Sequence, residues 1–141
     1  MRLWHYKLIP YLPNSQLIAQ WRELNSIFKK QDKHILINYV YEYDKRELFN
    51  YTQLVIYELK KREINIRISK HYLIYFTGYI SIITTDDIPY LYWSKLFKNH
   101  HTNRYLWQCF SNLQEKYDRG QKDFSEEQYK KLEGFVKNEI C

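Results

Sequence analysis

The adjacent pair Arg22-Glu23 lies close to the amino terminus and offers the groups best suited to chemistry in this sequence. A carboxylate held near an amine can move protons to and from it, or stabilise a cationic intermediate formed on it. The fold must therefore bring the terminal amine and the Glu23 carboxylate together, and the position of Glu23 depends on the helix that carries it.

Residues 14–28, NSQLIAQWRELNSIF, have the apolar spacing of an amphipathic helix. At about 100° per residue, one face carries Leu17, Ile18, Trp21, Leu24 and Phe28, and the other carries Gln16, Ala19, Arg22, Glu23, Ser26 and Lys30. The short side chains of Ala19 and Ser26 flank Glu23 one turn before and after it. We therefore expect the carboxylate in a shallow gap that a ligand can reach.

The opening stretch, MRLWHYKLIPYLPNSQLIAQWRELNSIF, resembles the start of the pyrimidine dimer DNA glycosylase family, the phage endonuclease V type, and especially a bacterial branch that begins MRLWH and continues LIPxLP. Further similarity lies in KHILINYV, in ELFNYTQLVIYELKKREINI and in HHTNRYLWQCFSNLQEK. The resemblance covers most of residues 1–115 except the middle, from about residue 69 to 98.

The resemblance implies a DNA repair enzyme whose terminal amine attacks C1′ of a damaged nucleotide and forms an imine. Glu23 matches the glutamate that assists ring opening and β-elimination, and Arg22 matches the arginine that holds the DNA backbone. An α-amine suits this role, because an ordinary pKa of about 7.7–8.0 leaves roughly a tenth of it neutral at pH 7. A lysine near 10.4 is almost entirely charged.

Three positions depart from the family pattern. The phage enzyme loses its methionine and exposes a threonine, whereas the bulk of Arg2 here predicts that Met1 is retained and provides the amine. This moves the nucleophile outward by up to ~3.5 Å of chain. The family's helix histidine is replaced by Gln16, and a DNA-contacting arginine by Ser26.

A net charge of +6 favours an anionic partner, and we expect double-stranded DNA. The predicted catalytic residues are Met1, Glu23 and Arg22, and the predicted DNA-binding residues are Arg2, His5, Gln16, Ser26, Lys29, Lys30 and Lys33. Two alternatives stay open. The lysines after the first helix could instead complement the helix dipole. Trp4 and His5 could pin the arm to the core rather than line a site.

Other site classes have little support in the sequence. Cys109 lies within a predicted helix and Cys141 ends the chain, and the five histidines lack the spacing of zinc ligands. We therefore expect no metal and no cofactor. Without a signal peptide or a long apolar run, we expect a cytoplasmic monomer with no membrane association.

The chain is predicted to form one all-α domain over residues 1–141, a compact bundle of four to five helices behind a short N-terminal arm. After the first helix, which Asn14 should cap, a second helix is expected up to about Arg62 from a capping box of Asp44 and Glu47. Further helices are expected at 90–98 after a turn at Asp86-Asp87, at 103–117, and at 125–138 from a capping box that begins at Ser125. Residues 34–43 read as extended. Residues 64–83 read as extended with a hairpin near Thr77-Gly78, or alternatively as a helix.

Two other function classes remain. One is a DNA-binding protein that kept the scaffold and lost the nucleophile. The other is a protein-interaction module whose basic residues only increase solubility, which salt-dependent DNA affinity would argue against.

Overall fold

The computed structural model describes residues 2–79 and 95–140. Its α-helices are α1 (Asn14–Lys29), α2 (Lys45–Lys61), α3 (Lys70–Tyr75), α4 (Asn103–Asp118) and α5 (Glu126–Ile140), with 3-10 helices at Tyr6–Tyr11 and Asn38–Glu42. These ranges contain no strand, and the predicted all-α class is confirmed. No helix among the described residues is long and apolar enough to cross a bilayer.

Aromatic packing joins the helices in two groups. Helix α1 contacts α2 and α3, and α4 contacts α5. The ring of Tyr72 on α3 lies 5.8 Å from Phe28 and 6.1 Å from Trp21, both on the apolar face of α1. Between α4 and α5, Tyr117 stacks on Tyr129 at 4.2 Å. These ring pairs fix the helix spacing that the apolar stripes only suggest.

The arm before α1 connects the two groups. Its 3-10 helix contacts both α2 and α5, and Leu8 and Ile9 within it are fully buried. Tyr11 stacks on Phe135 of α5, with ring centroids 4.6 Å apart. Because the arm packs on both sides, its path is set by the core rather than by its own short sequence.

Arg62, just past α2, holds the end of this arm. Its guanidinium donates to the carbonyls of Pro10 and Leu12 and to Oδ1 of Asn14, and it pairs with Glu58 at 2.9 Å. The Glu58 side chain is only 6% exposed, so its charge depends on this one cation.

Several predicted caps are correct and two are not. Ser125 and Gln128 form a reciprocal capping box at α5, and Asp44 accepts from the Arg46 amide at α2. Glu47 does not complete the second box, because its carboxylate accepts from the amide of Phe97 instead. Pro13, not Asn14, is the cap residue of α1, and the Asn14 side chain accepts from Arg62.

Both stretches predicted as extended differ in the structure. Residues 34–43 form a turn, closed by the His34 carbonyl, and then the second 3-10 helix. Ser69 caps α3 by accepting from the Tyr72 amide, and Tyr72 and Phe76 are buried against α1. Burial of these rings outweighs their preference for strands, so the helical alternative is correct there and Thr77-Gly78 follows α3 as a turn.

Other predictions fall outside the described residues. These are positions 80–83 of the supposed extended stretch, the turn at Asp86-Asp87 and most of the predicted helix at 90–98. The described part of that last helix, 95–98, is not helical.

Replacing Arg62 tests whether it anchors the arm. We expect Arg62→Ala to lower the free energy of unfolding by about 3 kcal/mol, because it leaves the buried Glu58 carboxylate unpaired. Chemical denaturation would measure this. The double variant Arg62→Ala/Glu58→Gln should recover part of the loss, and an equal loss in both variants would contradict the role assigned to the ion pair.

Candidate functional site

A cleft of about 430 Å³ opens beside the first half of α1. The described residues that line it come from the arm, from α1 and from α4, namely Arg2, Trp4, Gln16, Ala19, Gln20, Glu23, Asn112 and Lys116. The structure therefore brings together three of the predicted site residues, Arg2, Gln16 and Glu23. The expected gap over Ala19 is present, and it extends beyond α1 to side chains of the arm and of α4.

Glu23 is held in this cleft with part of its carboxylate unused. Its Oε1 atom is buried and has no hydrogen-bond partner among the described residues. Burial raises the pKa of Glu23, and the nearby charge of Asp32 raises this pKa further. A carboxyl group that holds its proton more readily than usual and has a free oxygen is suited to general acid-base work.

The backbone of the arm is tied to α1 by Gln20, which is only 2% exposed. Gln20 Oε1 accepts from the Trp4 amide at 2.8 Å, and its Nε2 donates to the Arg2 carbonyl at 3.3 Å. The Tyr51 hydroxyl on α2 donates to the Trp4 carbonyl at 2.6 Å and also lies 3.0 Å from Gln20 Oε1. We call these contacts of Gln20, Tyr51, Arg2 and Trp4 the arm clamp.

The arm clamp fixes the start of the chain relative to Glu23. Gln20 and Glu23 are three residues apart, so they lie on the same side of α1. The hydroxyl of Tyr105 on α4 adds a further bond to the Leu3 carbonyl. Residues 2–4 are thus held by side chains from three helices, and the first described residue lines the cleft that contains Glu23.

Helix α4 forms the opposite wall. Asn112 and Lys116 are four residues apart, which places both on the face of α4 that borders the cleft. Arg2 and Lys116 give the cleft two cationic side chains in addition to its one carboxylate. Over residues 2–79 and 95–140, no group of three or more His, Cys, Asp or Glu could hold a metal ion.

Of the other predicted site residues, Met1 lies outside the described residues, and the rest, including the predicted catalytic Arg22, do not line the cleft. Arg22, Ser26, Lys29, Lys30 and Lys33 are exposed along α1 and the loop that follows it. Ser26 donates to the Arg22 carbonyl, so its hydroxyl is engaged by its own helix. The basic side chains stay available to an anionic partner.

His5 takes the structural alternative. It is 2% exposed, its Nε2 contacts the His101 carbonyl at 2.9 Å, and its Nδ1 accepts from the Lys7 amide. Burial lowers the pKa of His5 to about 4, so the ring is neutral at pH 7. His5 therefore pins the arm to the segment just before α4 and has no exposed edge to offer DNA.

Sequence reasoning missed Gln20, Asn112 and Lys116. Gln20 carried a weak signal, because it is a polar residue at a helical position between the buried Leu17 and Leu24. Asn112 and Lys116 carried none, since their pattern is that of any exposed helix face.

The arm clamp can be tested by removing Gln20. We expect Gln20→Ala to speed hydrogen exchange at the Trp4 amide by about tenfold or more, because that buried donor loses its acceptor. Gln16→Ala is the matched control, since Gln16 lines the same cleft but bonds to Gln121. Unchanged protection of Trp4 in Gln20→Ala would show that the arm is held by other contacts.

The chain was also compared with known proteins. A model of the family described as pyrimidine dimer DNA glycosylase matches residues 1–72, just over half of the 141 residues. No curated protein and no solved structure matches the chain. The matched residues include the arm, α1 and α2, which carry Glu23 and the arm clamp. The chain therefore belongs to the pyrimidine dimer DNA glycosylase family.

Proposed function

We propose that this protein is a DNA glycosylase and AP lyase that acts on double-stranded DNA at a pyrimidine dimer or an abasic site, with the α-amine of Met1 as nucleophile. One observation carries the proposal. Arg2 lines the same cleft as Glu23, and consecutive Cα atoms are only about 3.8 Å apart. We propose that the amine of Met1, which is bonded to Arg2, reaches that cleft.

The mechanism follows from these two groups. The amine attacks C1′, a nitrogen-carbon bond forms, and the glycosidic bond breaks with its electron pair leaving on the base. At an abasic site the same amine condenses with the sugar aldehyde and releases water. Glu23 delivers a proton to the ring oxygen as the sugar opens. The Glu23 carboxylate left by that step then takes a proton from C2′ of the imine, and the C3′–O bond breaks with its electron pair leaving on the 3′ phosphate. The raised pKa of Glu23 suits a group that must exchange protons in both directions.

The cationic side chains would hold the DNA. Arg2 and Lys116 lie inside the cleft, where they can neutralise the phosphate of the damaged nucleotide. Arg22, Lys29, Lys30 and Lys33 would contact the flanking backbone, and such contacts make affinity fall as salt rises. Reaction at C1′ also requires the duplex to open locally, because a stacked nucleotide does not expose that atom. The amine itself activates the sugar, so the scheme needs no metal, and we expect the protein to work as a cytoplasmic monomer.

Borohydride trapping tests the nucleophile. We expect the protein to become cross-linked to an abasic duplex, because hydride reduces the imine to a stable amine, and mass spectrometry should place the adduct on the peptide that contains retained Met1. Glu23→Gln should slow strand cleavage by about 10²–10⁴-fold. Glu127→Gln, which alters an exposed carboxylate of α5, should behave as the wild type.

The outcomes separate the remaining alternatives. An adduct mapped to Lys116 would overturn the role of Met1. Salt-dependent DNA binding without any adduct would indicate a DNA-binding protein that lost the reaction. Absence of salt-dependent binding would favour an interaction module.

The same substitution should affect stability in the opposite direction. We expect Glu23→Gln to raise the free energy of unfolding at pH 7 by about 1 kcal/mol, because it removes a charge with a buried, unpartnered oxygen. The variant should therefore unfold at a higher temperature than the wild type. The pKa of Glu23 is raised in the fold, so its charged form is disfavoured there at pH 7. Below about pH 4, where the carboxyl is protonated in both states, the gain should vanish. Thermal melts across this range would measure it, and a variant less stable at pH 7 would contradict the expectation.

A further inference from the structure

The loop after α1 exposes two adjacent apolar side chains. Ile35 is 81% exposed, the highest value among the large apolar residues that the structure describes, and Leu36 is 40% exposed. Isolated apolar residues are common on protein surfaces. Two in succession at the tip of a loop that begins with basic residues form a distinct feature, which we call the apolar tip.

A fixed turn holds the apolar tip outward. The side chain of Asp32 accepts from the His34 amide at 2.7 Å, and His34 Nδ1 accepts from the Leu36 amide at 3.2 Å. The His34 carbonyl closes the turn by accepting from the Ile37 amide, and Ile37 itself is fully buried. The Tyr41 hydroxyl also accepts from the Asp32 amide. The loop is braced from both sides, so exposure of the tip is built into it.

Three lysines precede this tip along the chain. Lys29, Lys30 and Lys33 are exposed, and none of them forms an ion pair with another described residue. Asp32, the acid within this loop, accepts a hydrogen bond from the His34 amide. An apolar point with a basic rim is complementary to a duplex whose base stack lies between two phosphate backbones.

The apolar tip also lies on the loop that follows the helix of Glu23. Helix α1 continues for six residues from Glu23 to Lys29, which spans roughly 9 Å along its axis, and the loop that carries the apolar tip follows it. Asp32 and His34 lie close enough to Glu23 for their charges to affect the pKa of its carboxyl group. The turn therefore lies near the carboxylate of Glu23.

We propose that Ile35 and Leu36 insert between base pairs of the duplex beside the lesion, while the lysines around them contact the phosphates on either side. The wedge unstacks a base step and kinks the duplex, so that the damaged nucleotide can leave the stack and enter the cleft. This inference rests on the proposed function, since it takes duplex DNA as the substrate. It assigns specificity for the duplex form to a loop that does no chemistry.

The test uses the double variant Ile35→Ser/Leu36→Ser and a tetrahydrofuran abasic analogue, which binds without being cleaved. The duplex carries 2-aminopurine beside the analogue, so that unstacking raises its fluorescence. We expect the wild type to raise this emission and the variant to lose the rise. Affinity for the duplex should fall about tenfold, whereas affinity for the same single strand should change less than about twofold.

The matched control is Leu73→Ser/Ile74→Ser on α3, which removes the same two residue types at 48% and 70% exposure. It should keep both the emission and the duplex affinity. Equal losses in the two double variants, equal losses on duplex and single strand, or full emission with Ile35→Ser/Leu36→Ser would each overturn the wedge. Circular dichroism melts confirm folding of both variants, because substitutions at exposed sites cost little stability.

The wedge and the imine chemistry fail separately. Unstacking that depends on the apolar tip, without any borohydride adduct on an abasic duplex, would defeat the chemistry and leave the wedge. A normal adduct with unstacking unaffected by the tip would defeat the wedge alone.

Discussion

The buried amide of Gln20 is the interaction on which the cleft depends. A side-chain amide removed from water must find partners for its oxygen and its nitrogen, and Gln20 finds them in the Trp4 amide, the Tyr51 hydroxyl and the Arg2 carbonyl. Each of these groups would be costly to leave unpaired in the core, so the arm has a single favourable position. Catalysis by a group at the start of a chain requires such a constraint, because free ends fray and small misplacements of reacting atoms slow reactions greatly.

Glu23, one turn further along α1, shows the opposite arrangement. Gln20 has all its partners in the core, whereas Glu23 keeps a buried oxygen without one. The same helix thus uses one polar residue to build the structure and leaves the next unsatisfied. In the proposed mechanism Glu23 gives and takes protons, which requires that it is not fully committed to fixed partners, and contacts such as the arm clamp offset the stability lost there.

Local patterns were sufficient for the long helices and insufficient for the site. The predicted ranges 14–28, 103–117 and 125–138 lie within two residues of α1, α4 and α5, because apolar period and caps are local properties. Helix α3 was missed as the first reading, since its branched and aromatic residues favour strands until Phe28 and Trp21 supply a surface to pack on. The position of Glu23 in a gap could be predicted from its short neighbour Ala19. The structural role of Gln20 could not be predicted, because it depends on a hydrogen bond with Tyr51, which is 31 residues away and comes close only in the folded chain.

The two walls of the cleft have different origins. The family match ends at residue 72 and contains Glu23, Arg2 and the arm clamp, so it covers the wall that is formed by the arm and α1. Asn112 and Lys116 stand on α4, beyond that match, yet they bound the same space. The arm connects the walls, since Tyr105 of α4 bonds to the Leu3 carbonyl next to the residues that Gln20 holds. The position of α4 is therefore coupled to the position of the arm, so a change in the second half of the chain alters both the width of the cleft and the position of residues 2–4 beside Glu23.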